Sequence, residues 1–204
     1  MKQNAIKIIC ACVLIAGVST PVQADDGRIS WAIDGGVNFV NDFDIDMAGG
    51  TFEAEFDPGF RVGLSGLYEV VSADDKGFGL GIGPDVAFLY NEAKDDNDVW
   101  LGQVPALLKA VVYTDGSQPF QFFAGAGVGG AWSYLDVDTD DDSEISFAWG
   151  AEIGVNYAVS DSAKIGLVGK YLGVNSPEWD VDGDTLDADP IHNFSVGLIF
   201  GMGF

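Results

Sequence analysis

Sorted by parity, residues 191–204 (IHNFSVGLIFGMGF) separate into two faces. His192, Phe194, Val196, Leu198, Phe200, Met202 and Phe204 share one; Asn193, Ser195, Gly197, Ile199, Gly201 and Gly203 share the other. Successive strand side chains point to opposite faces, so this stretch predicts a strand with one greasy side and one small or polar side. The same alternation marks seven further segments, at 28–40, 59–71, 78–91, 100–113, 119–134, 145–157 and 164–173. Strand 3 offers Phe78, Leu80, Ile82, Val86, Phe88 and Tyr90 on its greasy face, and strand 6 offers Phe147, Trp149, Ala151, Ile153, Val155 and Tyr157. The opposite faces carry Gly, Ser, Asn and a few charges: Asp34, Arg61, Glu69, Asp85, Lys109, Glu152 and Lys170.

The connections alternate in length. Those at 72–77, 114–118 and 158–163 are short and rich in turn residues, whereas those at 41–58, 92–99, 135–144 and 174–190 are mostly longer. An up-and-down sheet with one trimmed and one elaborated end produces that pattern, and outer-membrane barrels have short periplasmic turns and longer external loops. The expected fold is therefore all-β, an eight-stranded antiparallel up-and-down transmembrane β-barrel. A secreted sandwich or lipocalin-like barrel is the competing reading, with the greasy face as core. Three features favour the membrane. The strands are long and near-uniform, enough at a tilt of about 45° to cross a bilayer. Aromatics gather at segment ends (Trp31, Phe60, Tyr90, Trp100, Trp132, Tyr157, Tyr171), as interfacial girdles do. The polar face holds nearly balanced charges among glycines, which suits a crowded lumen where charges pair; Glu152 and Lys170 fall near one another across the 158–163 turn.

Charge and the N-terminus set the compartment. Residues 1–24 begin with Lys2 and Lys7, continue through the apolar run Ile8–Val18 and end on Val22-Gln23-Ala24, the plan of a secretory signal peptide. Cys12 lies inside the apolar run and not after it, which argues against a lipoprotein. Both cysteines, Cys10 and Cys12, fall in this segment, so the expected mature domain, 25–204, has no disulfide or zinc-thiolate framework. The whole chain has 32 acids against 9 lysines and arginines, a surface unsuited to nucleic acid. No stretch of about 18 apolar residues follows the signal, so no spanning helix is expected.

On these residues the chain resembles a known family. QPFQFFAGAGVGGAW (118–132) and ISFAWGAEIGVNYAVSDSAKIGLVGKY (145–171) look like the fifth to seventh strands of the opacity-protein and outer-membrane-protein-A-like β-barrels. FEAEFDPGFRVGLSGLYEV (52–70) resembles that family's second strand, except that Leu67 separates Gly66 from Tyr68 where the family commonly has Gly-Tyr. The terminal Phe204 resembles the family's assembly signal, which implies contact with the barrel-assembly machinery through the last strand. Outer-membrane-protein-A proper continues into a peptidoglycan-binding domain; the sequence here stops at Phe204, so wall anchoring is not expected. The resemblance implies an outer-membrane monomer among lipid and lipopolysaccharide.

Chemistry is sparse. GAGVGG (125–130) matches a dinucleotide fingerprint as a string, but that motif must open a helix, and here Gly125, Gly127 and Gly129 share the inner face of a strand. The one histidine, His192, has Phe194 two residues on, while Ser195 points the other way, so no base sits beside a nucleophile. No enzyme and no cofactor are expected. The acids are the anomaly: 22 of the 32 lie in the four long connections. Asp42, Asp44, Asp46, Asp136, Asp138, Asp140, Asp180, Asp182 and Asp184 are spaced as carboxylates that hard cations favour. Asp42-x-Asp44-x-Asp46 even has Glu53 at an EF-hand distance, although Met47 occupies the position that needs glycine. Loose divalent bridging to lipopolysaccharide phosphates is the expectation these loops raise, beside plain solubilisation. The expected role is structural or surface-interacting, through acidic external loops. The alternatives are a narrow pore, since eight strands leave an interior just wide enough for side chains, and a lipid-modifying enzyme.

Overall fold

A computed structural model describes residues 29–203 apart from 48–49, 74–76, 95–98, 115–118, 138–139, 161 and 182–183. The expected signal segment at residues 1–24, Asp138, Asp182 and Phe204 lie outside the described residues. Among the described residues twelve strands are formed: β1 (Ile29–Val40), β2 (Phe43–Met47), β3 (Gly50–Ala54), β4 (Gly59–Val71), β5 (Phe78–Glu92), β6 (Val99–Thr114), β7 (Phe120–Val137), β8 (Asp140–Ser160), β9 (Ala163–Val174), β10 (Glu178–Val181), β11 (Asp184–Ala188) and β12 (Ile191–Met202). Eight of them close an antiparallel barrel in the order β1-β12-β9-β8-β7-β6-β5-β4, each paired with its neighbour along the chain and β1 closing onto β12. Among the described residues no helix is long and apolar enough to cross a membrane. The crossing is made by strands.

Parity assigns the faces. The outer wall exposes large apolar side chains such as Leu108, Phe122, Ile153, Leu167 and Leu198, each more than half exposed. In water such a belt would be costly; in hydrocarbon it is the ordinary surface. The inner faces carry the buried polar and charged groups.

Two of the long connections are not loops. Residues 41–58 and 174–190 contribute β2, β3, β10 and β11, which form a second, four-stranded sheet in the order β10-β11-β2-β3. Its basis is period two. In DFDID, Phe43 and Ile45 are buried while Asp44 and Asp46 are exposed; in EWDV and DTLDA, Trp179, Leu186 and Ala188 are buried while Glu178, Thr185 and Asp187 are exposed. The apolar side packs with Leu89, Leu101, Leu135, Val174 and Ile191 of the barrel wall, so the sheet covers the mouth. The 135–144 connection is likewise strand: Leu135, Asp136 and Val137 pair with Asp142, Asp141 and Asp140, prolonging the β7–β8 hairpin.

Proline interrupts the ladder twice. Between β4 and β5 the pairing skips Gly66–Leu67 opposite Gly83–Pro84, and between β5 and β6 it skips Ala87–Phe88 opposite Val104–Pro105. Neither proline has an N–H to donate. The Trp31 ring lies over Gly66, where a Cβ would meet it at 2.8 Å.

The joint that closes the ring contains an opposed glycine pair. Gly36 and Gly197 are directly opposed at the β1–β12 joint on the inner face. A Cβ on Gly36 would fall 2.2 Å from the Val196 carbonyl oxygen, and one on Gly197 2.3 Å from that of Gly35. Gly35 points outward, and its Cβ would meet nothing nearer than 3.7 Å. Gly36→Val is therefore expected to cost about 1–3 kcal/mol by overpacking, measured by urea unfolding in detergent, whereas Gly35→Val leaves the unfolding midpoint nearly unchanged.

Candidate functional site

Six charged side chains meet at mid-lumen, one each from β1, β4, β5, β6, β8 and β9. Each projects inward because it sits at an inner-face position, and glycines leave it room: a Cβ on Gly63 would lie 2.6 Å from Asp34 Oδ2, and one on Gly127 2.9 Å from Lys109 Cβ. Arg61 donates from Nε to Asp34 at 3.0 Å and from a terminal nitrogen to Asp85 at 3.3 Å. Lys109 reaches Glu152 at 2.8 Å and Asp85 at 3.7 Å. Lys170 bridges all three acids, at 2.7 Å to Asp34, 3.2 Å to Asp85 and 3.4 Å to Glu152. Three bases face three acids, all with side chains at most 8% exposed. The balance matters because an unpaired charge here would keep its full desolvation cost. Glu152 and Lys170 are directly opposed across β8 and β9. Glu69 stands apart from this cluster and accepts from Tyr113 Oη at 2.6 Å.

A neutral network adjoins the ions. Asn38 Nδ2 donates to Asn91 Oδ1 at 2.7 Å and Asn193 Oδ1 at 2.9 Å, and Asn193 Nδ2 donates to Gln103 Oε1 at 2.8 Å. Ser195 Oγ donates to Asn38 Oδ1 at 2.7 Å, and Gln103 Nε2 to Ser133 Oγ at 3.3 Å. Charge alone does not mark these amides in the sequence; their inner-face parity is the signal that finds them. Toward the trimmed end Val111, Tyr113, Phe123, Val168 and Ile199 form a second apolar cluster, and Lys164 Nζ donates to Gln121 Oε1 at 3.0 Å. Two of the spaces between these groups are cavities of about 20 and 40 Å³, room for a few waters.

The mouth cover presents the acids. Asp44 and Asp46 lie on the outer face of β2, Asp187 on that of β11, and Asp46 accepts from Thr51 Oγ1. Asp42 is exposed just before β2, and Asp136 is half-buried near the end of β7. Asp140 and Asp184 are the first residues of β8 and β11, and Asp180 is the third residue of β10. The Asp42-x-Asp44-x-Asp46 run is thus an extended strand with its carboxylates along one side, and not the tight loop that wraps calcium. Among the described residues no group of three or more His, Cys, Asp or Glu side chains is arranged to hold a metal ion.

His192 is on the outer surface at the covered end. Its Nδ1 shares a hydrogen bond of 2.6 Å with Tyr171 Oη, and its backbone N–H donates to Asn41 Oδ1 at 2.6 Å. Trp149, Tyr171 and His192 form one run of ring contacts, tilted between Trp149 and Tyr171 and stacked between Tyr171 and His192. Trp132, Tyr134, Trp100, Tyr90 and Phe60 form another. Both belong to an interfacial girdle. Ser195 lies inside the barrel on Asn38, on the face opposite to His192.

Removing one member tests the ion cluster. Lys170→Met removes one partner from each of three acids and leaves two bases against three acids in the buried cluster, and is expected to cost about 3–5 kcal/mol of unfolding free energy. Lys94→Ala removes an exposed pair with Glu55 (2.7 Å) and is expected to cost about 1 kcal/mol or less. Urea titration of the refolded barrel separates the two.

Solved structures of outer-membrane proteins are similar to this chain in fold. Neisserial surface protein A is 14% identical with a TM-score of 0.56, covering 88% of this chain and 98% of its own. OprG, an outer membrane protein of Pseudomonas aeruginosa, is 17% identical with a TM-score of 0.52, covering 87% and 97%. The outer membrane protease OmpT of Escherichia coli is 10% identical with a TM-score of 0.55, covering 91% and 99%. At these identities the likeness is one of fold. No curated protein matches the chain by sequence. The family model described as the outer membrane protein beta-barrel domain matches residues 10–200. The chain belongs to that family, and its place is the outer membrane.

Proposed function

We propose that this protein is a closed barrel that holds a rigid acidic surface at the outside of the outer membrane, in an envelope-structural or adhesive role. The observation that carries this reading is the four-stranded cover. Its apolar face fills the barrel mouth and its acidic face points away from the membrane. A scaffold that holds such a surface still is what a binding loop needs. The long connections are external by the usual asymmetry of outer-membrane barrels. Residues 1–24 serve as the export signal, residues 25–204 form the membrane domain as a monomer, and the last strand with Phe204 engages the assembly machinery. The barrel has no catalytic role; its one histidine is occupied by a tyrosine and a backbone bond to Asn41 rather than by a nucleophile. Asp42, Asp44, Asp46, Asp136, Asp138, Asp140, Asp180, Asp182 and Asp184 make loose contacts to divalent cations that bridge them to lipopolysaccharide phosphates.

The pore reading competes directly, since a route through the lumen would require the six-charge cluster to part. Single-channel recording of the folded barrel in a planar bilayer is expected to be silent, with folding verified by the gel shift on boiling. Discrete steps that change when Lys109 or Glu152 is replaced would make the lumen a conduit and refute the closed-barrel reading. The bridging role has its own check. In lipopolysaccharide bilayers at low salt, chelator is expected to lower the thermal midpoint, and an unchanged midpoint would dismiss the bridges.

A further inference from the structure

The two ends of the lumen are filled differently. At the mouth Phe43, Leu89, Leu101, Leu135, Trp179 and Ile191 belong to one apolar cluster shared by cover and wall. Beneath it the amide network is sealed. Asn38, Asn91, Gln103, Ser133 and Asn193 are each at most 1% exposed and bond to one another.

The trimmed end is looser. Its apolar cluster is smaller, and polar groups are threaded through it: Tyr113 Oη donates to Glu69, and Lys164 Nζ to Gln121. Glu69 and Asn156 are inner-face residues there, yet both are only partly buried. The cavity of about 40 Å³ lies at this end, among Ser30, Ser65, Tyr113, Gln121 and Asn156. It extends up to Lys109 and Glu152, which also line the cavity of about 20 Å³ beside Arg61, Asp85 and Lys170. The Lys109–Glu152 pair, in contact at 2.8 Å, therefore stands between the two spaces. Neither of these cavities is lined by a residue of β2, β3, β10 or β11.

Hydroxyl and amide groups around a space of that size suit water. Water reaching the ion cluster from below would also lower the desolvation cost of its charges, which is the main penalty such a cluster carries. Burial above and polarity below thus give the lumen a direction. We propose that it is a blind vestibule: water and small ions enter from the trimmed end, on the periplasmic side by the usual asymmetry, as far as the Lys109–Glu152 pair and stop there. This goes beyond a closed barrel, since closure at the cover alone accounts for the absence of a through route and says nothing of which side the buried charges face.

Thiol accessibility tests this on the folded barrel in detergent, in a chain with Cys10 and Cys12 replaced by serine. Ser65→Cys and Asn156→Cys place single thiols in the lower cavity, and Ser133→Cys and Ser195→Cys place them in the sealed network. Either member of each pair suffices should the other fail to fold, with folding verified by the gel shift on boiling. Silver ion, which travels with water, is applied in brief chloride-free pulses, and thiols left free are counted by alkylation on unfolding. Each rate is taken relative to the same variant in urea. The lower thiols are expected to react at least about tenfold faster than the upper ones, which are reached only through opening of the fold. Equal protection of both pairs, equally fast reaction of both, or faster reaction above would each overturn the proposal. Single-channel steps would sink the closed-barrel reading and the blind end together, whereas a silent barrel with protected lower thiols would sink the vestibule alone.

Discussion

In hydrocarbon an unpaired backbone N–H or C=O costs several kcal/mol, so a sheet can cross a bilayer only when it has no open edge. The joint of β1 to β12 is where this chain meets that requirement. Ten successive rungs from Trp31–Met202 to Val40–Asn193 leave neither strand with a free side. Gly36 and Gly197 allow the backbones to meet there, and once the ring is closed every inner-face side chain must share one narrow space. The two proline interruptions beside β5 are local departures from the rule, spaced apart along the strand so that each lies beside intact rungs.

Closure determines the chemistry of the lumen. Charges from six different strands are brought within contact of one another, and they are tolerable because they balance and because Lys170 touches every acid in the group. Such a cluster is weak evidence for stability in itself, since replacing it with apolar groups of the same shape can be neutral or better. Its effect is on what can pass: the ions, the amide network and two apolar clusters occupy the interior from mouth to base. Function is accordingly sought at the surface, where the cover turns apolar residues down and acids out.

The same physics that stabilises the cover limits it. A sheet with one greasy and one polar face needs something to bury the greasy face, and the barrel mouth supplies that. On the outer face acids oppose acids across β10, β11 and β2.

Period-two alternation by itself determined the eight barrel strands, their inward charges and the lipid-facing belt, because each side of a strand experiences only one environment and residue type follows it. Asp34, Arg61, Asp85, Lys109, Glu152 and Lys170 were legible for that reason, as apolar-incompatible residues at inner positions. Alternation was also present in DFDID, EWDV and DTLDA, yet its acids look like cation ligands until a mouth is available to bury Phe43, Ile45, Trp179 and Leu186. Which strand pairs with which acid depends on tilt and register, so only the closed barrel decided that Lys170 joins three carboxylates, that Asn38 reaches Asn91 and Asn193, and that two distant segments share the seam at Asp46 and Asp187. Local pattern is a property of neighbours along the chain, and these contacts span up to 155 residues, a separation that only the tertiary fold brings together.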